Sequence, residues 1–178
     1  DKAEAALAPL RQMAPSTASR WLWEARLANA RGDVKAAISA YRELLRRAPS
    51  HVASLLEFAR LLAGNNERNQ AVSMLEKAVS LAPDNIAAQM LLAATLADGG
   101  DPEAAIRAIR RAEPRFPDDP RLAALRSHIE LRRGNTGEAV TALEKAAAIR
   151  PDAPRLKSWL AGSLLIAGRH EEAVEALE

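Results

Sequence analysis

Residues 52–85 read VASLLEFARLLAGNNERNQAVSMLEKAVSLAPDN. This stretch holds two apolar patterns of helical period, one before Asn66 and one after it, and the second pattern stops at Pro83. Apolar residues that recur at three- and four-residue spacing predict the buried face of an α-helix, and proline ends a helix. The stretch therefore predicts two helices joined by a short turn.

The same pattern returns every 34 residues along the chain. The proline column is Pro15, Pro49, Pro83, Pro117 and Pro151, the turn column is Gly32, Asn66, Gly100, Gly134 and Gly168, and an alanine column is Ala3, Ala37, Ala71, Ala105, Ala139 and Ala173. Glycine adopts the left-handed conformation that ends a helix without a Cβ clash, and asparagine tolerates it best among the other residues. In three repeats the next residue can cap the following helix, namely Asp33, Asp101 and Asn135. A fixed period of this length indicates a repeat protein.

The period divides the chain into four complete repeats, 18–51, 52–85, 86–119 and 120–153, flanked by a partial second helix at 1–17 and an incomplete repeat at 154–178. A single helix hairpin cannot bury its own apolar face, so neighbouring repeats must stack and share a core. We therefore expect one all-α array. Since the pattern stops within a helix and the chain opens without methionine, we expect it to be a segment of a longer protein.

Two prolines interrupt the pattern. Pro9 falls inside the first helix and is expected to kink it. Pro114 comes three residues before Pro117 and is expected to shorten the second helix of its repeat by about a turn, which leaves Phe116 to fill the gap. Residues 114–120 form either a flexible hinge or a rigid local variation.

Composition excludes several classes of protein. The longest apolar stretch, residues 86–97, is far shorter than the roughly 20 residues of a bilayer-spanning helix. The chain has no cysteine, which excludes disulfides and thiolate metal sites. Basic and acidic residues are nearly balanced, at 25 and 23, and no dense basic run occurs, so nucleic acid is not an expected partner.

Catalytic and metal-binding patterns are also missing. The three histidines, His51, His128 and His170, are too dispersed in the repeats for a metal site or a catalytic cluster. The acidic pairs Asp118-Asp119 and Glu171-Glu172 are assigned to a loop and a helix start, not to a cleft that could shift their pKa values. We therefore expect no enzyme activity, no cofactor and no metal.

The chain resembles the tetratricopeptide repeat family, whose 34-residue unit is a helix-turn-helix. The repeat 52–85 shows much of the family pattern, in Leu55, Phe58, Ala59, Leu62, Ala71, Leu75, Ala78 and Pro83. The resemblance implies an α-solenoid, a right-handed superhelix whose first helices line a concave channel. It also implies that Trp21, at the tryptophan position of the family, is a core residue. Glu24 and Arg126 depart from the pattern by replacing a leucine and Ala123 by replacing the tryptophan, so weaker packing is expected there.

In this family, positions 2, 5, 6, 9, 12 and 13 of each first helix line the channel. Carried onto this chain, the resemblance gives candidate groove residues at Leu22, Trp23, Arg26, Leu56, Glu57, Arg60, Met90, Arg121, His128, Arg155 and Trp159. The family's clamp for a terminal carboxylate is missing. What remains is an apolar floor of Leu22, Leu56 and Met90 beside a basic stripe of Arg26 and Arg60, with Arg121 and Arg155 further on.

An apolar strip edged with arginine suits an amphipathic helix or an extended segment that carries acidic residues. The alternative is that these side chains pack between neighbouring first helices. Trp23 and Trp159 have three interpretations, which are packing between repeats, anchoring of a protein partner and stacking on a sugar.

These patterns predict a non-catalytic scaffold that binds a protein or peptide partner. The regular, alanine-rich repeats resemble those of bacterial scaffolds for exopolysaccharide export and secretion, which favours the periplasm over the cytoplasm. One alternative is the recruiting segment of a larger enzyme of the glycosyltransferase or sulfotransferase type. Another is direct polysaccharide contact through Trp23 and Trp159.

Overall fold

The computed structural model describes residues 17–117 and 119–178. The partial helix expected before Thr17 and the kink expected at Pro9 lie outside these residues. The described residues form ten α-helices and no strand. The first helices of the repeats are α1 (Ala18–Ala30), α3 (Val52–Gly64), α5 (Ile86–Asp98), α7 (Pro120–Arg132) and α9 (Pro154–Ile166). The second helices are α2 (Val34–Arg47), α4 (Arg68–Leu81), α6 (Pro102–Ala112), α8 (Thr136–Ile149) and α10 (His170–Glu175).

The first helices begin every 34 residues, at the positions where the sequence starts each repeat. Their turns have the backbone conformation that the turn column predicts. The φ angle is 76° at Gly32 and 64° at Asn66, which is the one described non-glycine residue with positive φ. The prediction that Asn66 takes the place of glycine is confirmed, because asparagine adopts this conformation at a lower cost than other residues with a Cβ atom.

Aspartate caps two of the second helices. The Asp33 carboxylate accepts a hydrogen bond from the Ala36 amide at 3.0 Å, and Asp101 accepts one from Ala104 at 2.8 Å. The cap expected from the Asn135 side chain is wrong, since this amide donates to Glu130 at 2.9 Å instead. Glu130 is buried, and a buried carboxylate requires such donors.

The helix that precedes Pro114 is short, as predicted. Helix α6 has 11 residues, whereas α2, α4 and α8 have 14 each. A 3₁₀ turn at Glu113–Arg115 follows it. Phe116, after this turn, is half-buried.

The helices form two compact units, of which the N-terminal unit ends at Ala88 and the C-terminal unit begins at Gln89. In the N-terminal unit, Tyr41 stacks on Phe58 with ring centroids 5.4 Å apart, above a core of buried leucines. In the C-terminal unit, α8 and α9 contribute a buried cluster of Val140, Leu143, Leu156 and Leu160. Small residues such as Ala25 and Ala59 are almost fully buried, as expected where two helices approach closely.

Candidate functional site

The C-terminal unit carries a groove of about 600 Å³ along its first helices, which we call the C-terminal groove. Its polar lining residues are Arg121, Ser127, His128, Arg155, Ser158 and Ser163. Its other lining residues are Met90, Ala124, Leu125, Leu131, Trp159, Gly162 and Ile166. The structure therefore brings five of the predicted site residues together, namely Met90, Arg121, His128, Arg155 and Trp159.

A hydrogen bond between α7 and α9 fixes the wall of this groove. The hydroxyls of Ser127 and Ser163 lie 3.0 Å apart, and both residues are buried. Two small side chains let the helices approach, and their mutual hydrogen bond satisfies groups that would otherwise be buried without a partner. The register of the two helices, and thus the spacing of the groove side chains, is held at this point.

The two arginines of the groove differ in their electrostatic state. Arg121 forms a two-bond ion pair with Asp119, with Nε at 3.0 Å from Oδ1 and Nη2 at 2.6 Å from Oδ2. The guanidinium holds the pKa of Asp119 below its ordinary value. Arg155 is exposed and forms no ion pair with any described carboxylate. The uncompensated positive charge of the groove is therefore on Arg155.

Large apolar side chains remain open to solvent in the same groove. Trp159 is 36% exposed and Ile166 is 64% exposed. Such side chains, in one groove with an uncompensated charge, are typical of a surface that a partner covers.

The N-terminal unit has its own groove of about 500 Å³, which we call the N-terminal groove. Of the predicted residues it contains Arg26, Glu57 and Arg60. Arg26 donates two hydrogen bonds to Glu57, at 2.9 Å from Nε and 2.5 Å from Nη2, and the Tyr41 hydroxyl donates a third at 3.0 Å. These donors hold the pKa of Glu57 below its ordinary value, and burial together with the hydrogen bond raises that of Tyr41. The expected basic stripe is therefore wrong at Arg26, because Glu57 balances its charge. Of the two arginines of the stripe, only Arg60 forms no ion pair with a described residue.

The expected apolar floor is wrong at Leu56. This residue is 7% exposed, so its side chain packs inside the protein, as in the alternative interpretation. Leu22 is half-buried and lines neither groove.

The tryptophans of α1 are more exposed than expected. Trp21 is half-buried and not a core residue, with the guanidinium of Arg47 5.2 Å from its ring centroid. Trp23 is 47% exposed and lies outside both grooves, with the guanidinium of Arg26 5.4 Å from its ring. About half of the Trp23 side chain is covered, and each of its three interpretations stays a prediction.

Sequence reasoning missed two apolar groove residues, the half-buried Leu131 and the exposed Ile166. Leu131 and Ile166 occupy positions 12 and 13 of their first helices. These positions belong to the channel in the resembling family, so a complete transfer of the pattern would have found them. Tyr41, in the N-terminal groove, comes from a second helix and gives no such signal.

The described residues contain neither a candidate metal site nor a helix that could span a membrane. No group of three or more His, Cys, Asp or Glu side chains there could hold a metal ion. None of the described helices has the length and apolar character to cross a membrane.

The architecture is that of a helix-hairpin repeat protein, and comparison with known proteins defines the family. The model of the cytochrome c-type biogenesis protein H TPR domain matches residues 9–123, and a tetratricopeptide repeat model matches residues 125–178. The chain therefore belongs to the tetratricopeptide repeat family. Over residues 9–123 it matches the member of that family described as the TPR domain of cytochrome c-type biogenesis protein H. Domains of this family bind protein partners.

Solved structures share the fold. A crystal structure of MamA protein has a TM-score of 0.69 at 23% identity, with 89% of this chain and 87% of that chain covered. MamA from Desulfovibrio magneticus, from residue 41 to its end, has a TM-score of 0.69 at 19% identity, with 92% of each chain covered. A thermophilic TPR protein from Thermus thermophilus has 0.61 at 23% identity, with 90% and 88% covered. The predicted all-α fold of tetratricopeptide repeats is confirmed.

None of the curated protein sequences compared with this chain matches it. The family descriptions and structures named above do not mention exopolysaccharide export, a glycosyltransferase or a sulfotransferase, so these expectations stay predictions.

Proposed function

We propose that the chain is a non-catalytic scaffold whose C-terminal groove holds an amphipathic segment of a protein partner. The observation that carries this proposal is the unpaired charge of Arg155 in the same groove as the exposed side chains of Trp159 and Ile166. A carboxylate of the partner gains a bidentate hydrogen bond from a guanidinium. Its apolar side chains cover the tryptophan and the isoleucine.

The groove has a direction that orients such a partner. Arg121 and Arg155 are each the second residue of a first helix, whereas Leu131 and Ile166 lie at the other end of these helices. Successive hairpins make α7 and α9 run in the same direction, so both charges lie at one end. The 11 residues from Arg155 to Ile166 span roughly 16 Å of helix. The partner segment is therefore acidic at one end and apolar at the other.

The first experiment measures binding of a synthetic helical peptide of about 12 residues, the length that spans the groove. The peptide carries two glutamates at one end and an apolar face at i, i+3, i+4 and i+7. Isothermal titration calorimetry is expected to show that R155E weakens binding at least about tenfold, a loss of roughly 1.4 kcal/mol. The matched control is R110E, since Arg110 is exposed on α6 and lines neither groove.

A charge exchange makes this test specific. A second peptide with lysines in place of the glutamates is expected to bind R155E better than it binds the unchanged protein. Equal binding of both peptides to both proteins would contradict the proposal, and circular dichroism checks that every variant keeps its helicity.

The biological setting is a finer part of this proposal. The family description names the biogenesis of c-type cytochromes, so polypeptides of that process are the first partners to test. An exopolysaccharide-export assembly and a periplasmic location are supported only by the regular, alanine-rich sequence of the repeats. A photo-crosslinking residue at Ser158, inside the groove, identifies the partner in cells. A crosslink made in the groove is expected to be lost in R155E and kept in R110E.

A further inference from the structure

The repeat 120–153 lacks two large apolar side chains that another repeat has. In the repeat 52–85, Leu55 and Phe58 are 0% and 4% exposed. The equivalent residues, 68 positions later, are Ala123 and Arg126. Alanine leaves most of the volume of a leucine empty, and the charged end of an arginine turns to a carboxylate instead of filling an apolar core, so a space is expected there.

The structure has such a space, which we call the junction notch. It has a volume of about 370 Å³ and lies where the 3₁₀ turn after α6 meets α7 and α8. Phe116 and Pro117 form one wall, and Ala123, Ala146 and Ile149 form another. Phe116 lines this space, so the prediction that it fills the gap is wrong. None of these residues lines the C-terminal groove, so the two sites are separate.

Arg126, which lines the notch, has a hydrogen-bond donor without an acceptor in the described part of the chain. Its side chain is only 14% exposed, and its Nη1 atom donates to Glu113 at 2.8 Å. Its Nε atom is buried and has no hydrogen-bond partner among the described residues. A buried donor without an acceptor costs free energy, and this cost is removed when the Arg126 side chain turns so that an incoming oxygen atom accepts from Nε.

We propose that the junction notch is a second binding site, which takes an aromatic side chain of a polypeptide together with an oxygen acceptor for Arg126. The volume lies at the lower end of the range of ligand pockets, roughly 300–1,000 Å³. Phe116, Pro117 and Arg126 all line the notch, and aromatic rings stack favourably on rings and on guanidinium groups. The backbone carbonyl next to the aromatic residue supplies the acceptor.

The test uses the full chain and N-acetyl-tryptophanamide as the probe, followed by NMR. Saturable chemical-shift changes are expected at Ala123, Ala146 and Ile149, and none at Ser158 and Gly162 of the C-terminal groove. A123L fills the notch and is expected to abolish these changes. Its matched control is A124L, because Ala124 is the next residue and lines the groove instead.

A second variant isolates the acceptor. R126M keeps an apolar wall but removes the Nε donor. The unchanged protein is expected to bind N-acetyl-tryptophanamide at least threefold more tightly than indole, which has the ring without the carbonyl groups, and R126M is expected to lose this preference.

Three results would overturn the proposal. They are an absence of saturable shifts up to ~10 mM probe, a concentration that reveals even millimolar affinity, shifts that persist in A123L, and shifts centred on the C-terminal groove. Chemical-shift mapping on the unchanged protein shows whether the probe binds in the notch, even if A123L does not fold.

Discussion

Arg26 and Glu57 lie 31 positions apart and form a two-bond ion pair that joins α1 to α3. The Tyr41 hydroxyl donates to the same carboxylate, so three elements of the N-terminal unit meet at Glu57. This pair connects the first helices of two successive repeats. The charge of Arg26 is therefore used inside the fold, whereas Arg155 of the C-terminal groove stays available to a partner.

The first prediction concerns the stability that Glu57 provides. E57Q is expected to lower the free energy of unfolding by about 1 kcal/mol, because a neutral amide loses the charge-assisted bonds from Arg26. The loss is small because the side chain of Arg26 is 40% exposed, so solvent screens its charge. Urea unfolding measures it. A double-mutant cycle of R26A and E57A should give a favourable coupling energy, and additive effects would contradict the pair.

The second prediction concerns acid. The pKa of Glu57 is lower in the folded protein than in the unfolded chain, where it is about 4.3. The stabilisation is therefore fully present above that value and is lost as pH falls through the lower folded pKa. Between pH 7 and pH 3, the unchanged protein is expected to lose more stability than E57Q. Parallel curves of unfolding free energy against pH would show that Glu57 does not contribute.

The repeat itself could be predicted because each column performs a local task. The turn at Asn66 follows from the backbone preference of one residue, and the short α6 follows from Pro114 alone. Such effects depend on the near neighbours in sequence, which a single chain displays. Asn135 escaped prediction because the buried Glu130 competes for its amide.

The site was less predictable because it depends on contacts between repeats. The pairing of Arg26 with Glu57 depends on a carboxylate 31 positions away, which the other repeats do not have at that position. Leu56 is buried, whereas Ser158, at the same repeat position, is exposed. A column position alone is therefore a poor guide to exposure. The sequence placed Arg155 and Trp159 in one groove, but it could not show which of the arginines stays unpaired.

The third prediction compares two glycines that differ in backbone conformation. Neither Gly32 nor Gly162 has an atom within 4 Å of an added Cβ, but Gly32 has a φ of 76° whereas Gly162 lies inside α9. G32A is expected to lower the free energy of unfolding by about 1–2 kcal/mol, which is the cost of the left-handed conformation. G162A is expected to raise it by about 0.5–1 kcal/mol, because alanine favours a helix interior. Thermal unfolding measures both, and a change of the same sign would contradict this account.

The fourth prediction uses two tryptophans at the same repeat position. Trp23 and Trp159 are both position 6 of a first helix and are 47% and 36% exposed, yet only Trp159 lines the C-terminal groove. A tryptophan that is a hot spot of an interface contributes about 2 kcal/mol or more to binding, and Trp159 is expected to be one. W159A is therefore expected to weaken binding of the acidic amphipathic peptide at least about 20-fold, measured by calorimetry, while W23A leaves it within about twofold.

The comparison of these two variants also decides between partner classes. If a polysaccharide were the ligand, both exposed rings would offer a face for stacking, and both variants would weaken its binding. If the groove holds a polypeptide, the effect of W159A should depend on Arg155, because the two side chains contact one segment and their contributions are then not additive. Equal losses from W23A and W159A would place the binding surface outside the C-terminal groove and contradict the proposed function.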